Sequence, residues 1–153
     1  MYHFFVEPHQ IGAEEIRIEG ADVNHIRNVL RMKPGEEILI SSREGGDYFC
    51  RVEELEPEYV SAKILEEREN KELPARIHLF QGLPKGDKME LIIQKAVELG
   101  AYRVVPVSMK RSVVKLDAKK ADAKRKRWNA VSESAAKQSK RSLIPEVAPL
   151  MTY

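Results

Sequence analysis

The stretch QGLPKGDKMELIIQKAVELGAYRVVPV, Gln81 to Val107, decides the reading of this chain. RIHLFQ before it reads as an apolar strand. Asp87, with Glu90 three residues later, forms a capping-box-like helix start. The helix carries Leu91, Ile92, Ala96, Val97 and Leu99, and Gly100 stands where a left-handed C-terminal cap belongs. RVVPV follows as a second buried strand. Strand, helix and strand over about thirty residues make a βαβ unit, the start of a parallel α/β sheet. The loop between Gly82 and Gly86 is not a phosphate loop. Three residues, not four, separate its glycines, and Asp87 stands where the lysine of a Walker loop belongs. An acidic group at a helix N-terminus also repels the phosphate that the helix dipole would attract. No G-x-G-x-x-G occurs anywhere in the chain.

Downstream, a long helix is expected from Ala118 to Lys140, capped by Asp117 and followed by Pro145. Upstream the rhythm changes. Tyr2–Val6 and Ile16–Glu19 are short β-prone pieces, and Asp22 to Met32 is a helix with Val23, Ile26 and Leu30 inward and Asp22 as cap. Pro34-Gly35 stops it. EEILIS, a Gly45-Gly46 turn, DYFCRVEEL and YVSAKILEE then give three strands, the first two joined as a hairpin. Short strands with turns between them suggest a small barrel. The polar segment Glu67–Pro74 reads as a structureless boundary, which divides the chain into 1–72 and 73–153.

Composition narrows the function. The chain has 153 residues and a net charge of +2, yet residues 1–75 carry −8 and residues 110–141 carry +9. Such asymmetry points to an anionic partner for the basic part. Between Lys110 and Arg127 stand nine lysines and arginines against Asp117 and Asp122. RNA phosphates need neutralising charge, and long side chains along one helix can track a backbone. We therefore take Arg111, Lys115, Lys119, Lys120, Lys124 and Arg125 as candidate RNA contacts. In the first half, Arg27 and Arg31 lie one helical turn apart with Lys33 beyond them, and they form a second candidate set. Trp128 falls with Ala121, Val131 and Ala135 on one helical stripe, so it is assigned to the core. Cys50 is the only cysteine, which excludes an internal disulfide and fits a reducing cytoplasm. The four histidines are scattered, so no metal site is expected. No apolar run is long enough to span a bilayer.

Four runs in order carry a resemblance: HIRNVLRMKPGEEI (His25–Ile38), KGDKMELIIQKAVELGAYRVVPV, KRSVVK (Lys110–Lys115), and the stretch from Arg127 to Val147 with AKQSKRSLIPEV. Together they resemble the ribosomal RNA small-subunit methyltransferase E family, and the resemblance covers nearly the whole chain. It implies an α+β then α/β organisation: an N-terminal PUA-like RNA-binding β-barrel, followed by the first part of a SPOUT domain, a trefoil-knot fold that binds S-adenosylmethionine. It implies methylation of N3 of one uridine in 16S ribosomal RNA by a cytoplasmic homodimer acting on the 30S subunit or its RNA. The family's cofactor loops, of the GPEGG and LRTET types, do not occur among these residues. The chain is accordingly expected to be the N-terminal two-thirds of such an enzyme, inactive alone, with the cofactor site beyond Tyr153. No general base can be assigned. Two alternatives stay open: a non-catalytic RNA-binding module, and a nucleotide-dependent enzyme using the Gly82 loop.

Overall fold

The computed structural model describes residues 1–110 and 117–153. It divides into two compact units, Met1–Lys71 and Glu72–Tyr153.

The first unit is built on a five-stranded mixed sheet. Strands β1 (Tyr2–Val6), β2 (Glu15–Glu19), β3 (Glu37–Ser42), β4 (Asp47–Leu55) and β5 (Tyr59–Arg68) lie in the order β1-β3-β4-β5-β2. The β1–β3 pair is parallel and the others are antiparallel. The expected barrel is thus a curled half-barrel with β1 and β2 as its edges. Alternation sends Ile16 and Ile18 of β2, and Ile38 and Ile40 of β3, into one core with Phe4, Val52 and Val60. Gly45 and Gly46, both at φ near 107°, turn β3 into β4, as their lack of a Cβ permits. β5 runs on to Arg68, so the segment from Glu67 begins as strand rather than loop.

The helix of this unit differs from expectation. Helix α1 covers only Ala21–Asn24, and His25–Val29 widen into a π-helical turn. Gly20, not Asp22, occupies the capping position, and no side chain caps the end. The Leu30 amide reaches the His25 carbonyl and Met32 reaches Ile26. The widened turn lets Val23, Ile26 and Met32 all enter the core. Arg31, at φ 53°, ends the helix before Pro34-Gly35 is reached.

The second unit is a parallel sheet. Strand β6 (His78–Gly82), helix α2 (Lys88–Glu98) and strand β7 (Arg103–Ser108) form the expected βαβ unit. Helix α3 (Ala118–Gln138) then crosses to β8 (Glu146–Val147) and β9 (Met151–Thr152), both parallel to β7. Val104 pairs with Val147 and Val107 with Met151, so the second stretch has gained one residue. β8 and β9 are therefore one edge strand broken by a single-residue bulge around Pro149, which has no amide hydrogen to give a ladder.

Local chemistry sets both helices. Met89, Ile93 and Val97 form the buried row of α2; of the apolar residues read from sequence, Val97 is buried, Ile92 and Ala96 are half-buried, and Leu91 and Leu99 are exposed. Asp87 holds the N-cap position, but its side chain makes no capping bond, and Glu90 turns away to Arg127. The capping box is therefore absent. Gly100, at φ 104°, completes a double C-cap in which the Ala101 amide bonds Ala96 and the Gly100 amide bonds Val97. On α3, Asp117 caps as expected by accepting from the Lys120 amide. Trp128, Ser132, Ala135 and Ala136 are buried.

Candidate nucleic-acid interface

The basic stretch does not lie on one stripe. At about 100° per residue, α3 sends its cations in three directions. Arg125 points to the sheet edge, where its Nε donates to the Val147 carbonyl at 3.1 Å and a terminal nitrogen meets Glu146 at 3.2 Å. Asn129 joins it there: its amide donates to Val147 O at 3.1 Å and accepts from Val147 N at 2.9 Å. Together these side chains satisfy the outer edge of β8, so Arg125 is held in structural bonds. Lys126 pairs with Asp122 on the outer face. Arg127 forks onto Glu90 of α2 at 3.0 and 3.4 Å. That hydrogen-bonded guanidinium holds the Glu90 carboxyl below its usual range, and the carboxylate raises Arg127 in turn.

Three candidates remain uncommitted. Lys119, Lys120 and Lys124 are exposed, and none makes an ion-pair contact among the described residues, although the Lys124 charge also helps to hold the Glu90 carboxyl down. Lys120 and Lys124 follow the flank of α3 that meets the start of α2. Arg111 and Lys115, with the rest of the KRSVVK run after Lys110, lie outside the described residues. In the first unit, Arg27 is half-buried on the π-helical turn, whereas Arg31 and Lys33 are exposed just after it. The Lys33 amide bonds the Glu36 carboxylate at 3.2 Å.

Two hollows adjoin the flank of α3 that carries Lys120 and Lys124. A groove of about 600 Å³ runs between the helices, lined by Glu90, Leu91, Gln94, Arg127, Ala130, Val131, Ser134, Ala135 and Gln138. A smaller crevice of about 230 Å³ opens at the carboxyl end of β6, lined by Leu83, Pro84, Gly86, Asp87, Met89, Glu90, Lys124 and Trp128. The carboxyl ends of parallel strands are where open α/β sheets place their ligands. Trp128, 5% exposed, belongs to the core as expected and also forms one wall of this crevice.

Sequence reasoning missed the ties that hold the second unit together. Arg141, 8% exposed, forks onto Glu72 and donates to the carbonyls of Val97 and Ala101. The Ser142 amide also bonds Glu72. An arginine three residues past a helix end carries no local signal that it will reach back across the fold.

Comparison with known proteins fixes the family. A family model described as an RNA methyltransferase domain matches residues 71–153, and one described as an RNA methyltransferase PUA domain matches residues 18–65. The chain belongs to the RNA methyltransferase family. Its resemblance to the ribosomal RNA small-subunit methyltransferase E proteins is borne out, as are the PUA-like half-barrel and the parallel sheet after it. It is 41% identical to Ribosomal RNA small subunit methyltransferase E of Bacillus subtilis over the whole chain and 61% of that protein. Among solved structures, a hypothetical protein matches at TM-score 0.91 and 42% identity, over 98% of this chain and 63% of that one. A Ribosomal RNA small subunit methyltransferase E from Neisseria gonorrhoeae, bound to S-adenosylmethionine, matches at TM-score 0.83 and 34% identity. That match covers all of this chain and 63% of the other. This methyltransferase-family chain thus spans less than two thirds of the length of these relatives. No described helix is long and apolar enough to cross a membrane, and no cluster of metal-binding side chains occurs among the described residues.

Proposed function

We propose that these residues belong to an S-adenosylmethionine-dependent methyltransferase that modifies N3 of a uridine in 16S ribosomal RNA. The observation that carries the proposal is the match, across both units in order, to a ribosomal RNA methyltransferase structure bound to that cofactor. In this reading the half-barrel grips RNA through Arg27, Arg31 and Lys33. The start of α3, with Arg111 and Lys115 before it, adds phosphate contacts through Lys119, Lys120 and Lys124. The protein acts in the cytoplasm as a homodimer on the 30S subunit or its RNA.

The described residues do not fit the cofactor. The crevice of about 230 Å³ lies below the roughly 300–1,000 Å³ typical of pockets for ligands of that size. The larger groove is an outward-facing surface between two helices, without the loop backbone donors that fix an adenosyl group. We therefore place the donor site in a SPOUT knot outside residues 1–153, and expect no methyl transfer from these residues alone. The contribution proposed for them is to bind the RNA and present the base.

Salt dependence tests that contribution. If about five phosphates are neutralised, affinity for single-stranded RNA falls with salt at a log–log slope of roughly −3.5. Changing Lys119, Lys120 and Lys124 together to Glu removes three contacts and brings the slope to roughly −1.4. An unchanged slope would overturn the assignment to α3 and leave Arg27 and Arg31 as the grip. For the whole protein, a labelled methyl group recovered on N3 of uridine is the expected product, and methylation of any other base refutes the chemistry.

A further inference from the structure

The crevice at the carboxyl end of β6 has a chemistry that RNA phosphate contact does not explain. Its apolar lining comes from Leu83, Pro84, Met89 and Trp128. Its polar groups are of both signs: Lys124 on one side, Asp87 and Glu90 on the other. Glu90 is engaged by Arg127. Asp87 is different. It sits at the N-cap of α2, yet its carboxylate caps nothing and has no hydrogen-bond partner among the described residues. Asp117, in the same position on α3, spends its carboxylate on the Lys120 amide.

A carboxylate at this mouth disfavours a phosphate but suits a neutral ring that presents an N–H. Uracil offers that pattern, an imide N3–H between two carbonyl oxygens. The crevice has room for a single pyrimidine ring and too little for a nucleotide-sized ligand. We propose that this crevice receives the target uracil, with Asp87 accepting the hydrogen bond from N3–H while Lys124 at the rim keeps its phosphate contact. The inference rests on the RNA-methyltransferase reading and names specificity-determining residues for it. Asp87 thereby rejects cytosine, whose N3 is a lone pair that would face the carboxylate. Lys120, one turn from Lys124 along α3, stands beside the mouth to hold an adjoining phosphate.

Fluorescence anisotropy on short single-stranded RNAs that differ only in one central U or C tests this. The chain should prefer the U-containing RNA by about tenfold, the discrimination expected of one well-placed base-edge contact pair. Asp87→Asn should lower that preference to below about threefold, because the amide can serve either base, with the C-containing RNA bound no more weakly. Asparagine caps helices as well as aspartate, so this variant should keep the melting profile of the parent. Lys119→Gln is the contrasting variant and should weaken both RNAs equally. A U preference unchanged in Asp87→Asn overturns the base-reading role while RNA binding stands. Failure of the parent chain to bind either RNA overturns the RNA-binding reading itself.

Discussion

Arg141 offers the sharpest test of how the second unit is held. Its guanidinium joins three places distant in sequence: Glu72 at the start of the unit, and the carbonyls of Val97 and Ala101 around the C-terminal cap of α2. Side-chain exposure is 8% for Arg141 and 16% for Glu72, so this is a pair largely removed from water. Arg141→Ala removes the countercharge of a mostly buried carboxylate and takes donors from two carbonyls. Breaking such a pair from one side costs about 3–5 kcal/mol. Converting both residues to apolar ones of similar size, Arg141→Met with Glu72→Met, should recover much of that loss, because no ion then remains to be desolvated. Trp128 is the only tryptophan and is buried in this unit, so its fluorescence during urea unfolding reports on the unit alone. With urea slopes of about 1–3 kcal/mol/M, the single variant should lower the midpoint by at least about 1 M. A loss under about 1 kcal/mol would refute the reasoning, since it is smaller than the loss of a single buried charge-assisted hydrogen bond. So would a double variant as unstable as the two singles summed, because coupled residues must depart from additivity.

Two further outcomes are expected. Burial pushes the Cys50 thiol up to about 12, from an ordinary value of 9.0. The unfolded chain releases that proton near 9.0 while the folded chain keeps it, so the thiol's contribution is whole below pH 9 and is lost as pH rises towards 12. Half-barrel stability should therefore decline across that window. Cys50→Ala should flatten the part due to the thiol and the small part of the Tyr48 rise that Cys50 causes, leaving the rest of Tyr48, raised by burial and Glu67, and that of Tyr59, raised chiefly by its hydrogen bond to Glu54. A variant with the parent's alkaline profile would contradict the assignment. Gly100→Ala should cost about 1–2 kcal/mol, because φ is 104° and an added Cβ would stand 2.7 Å from Leu73 Cδ1. Leu73 is 47% exposed and can swing aside. Trimming it to Ala in the same background should therefore restore little, whereas full rescue would show that contact rather than backbone strain sets the cost.

The sequence by itself determined the elements whose signals are local. Gly100 ends α2 because only a residue without a Cβ enters the left-handed cap cheaply, and Asp117 starts α3 through its own Lys120 amide. Alternating apolar residues in β2 and β3 specified one buried face, and the βαβ rhythm of Gln81–Val107 specified a parallel sheet. Other matters were decided only in three dimensions. The buried row of α2 was not legible because its apolar residues surround much of the helix, and tertiary packing selected Met89, Ile93 and Val97. The turn at His25–Val29 widened because Val23, Ile26 and Met32 had to reach a common core, a demand that no local propensity expresses. The basic run showed charge but not direction. Tertiary partners took Arg125 to the sheet edge and Arg127 to Glu90, and left Lys119, Lys120 and Lys124 uncommitted. Charge is a property of composition, whereas availability depends on which carboxylates and carbonyls the fold brings within hydrogen-bond reach. Asp87 shows the same division: its sequence position promised a helix cap, and the folded chain leaves its carboxylate uncommitted at the mouth of a crevice.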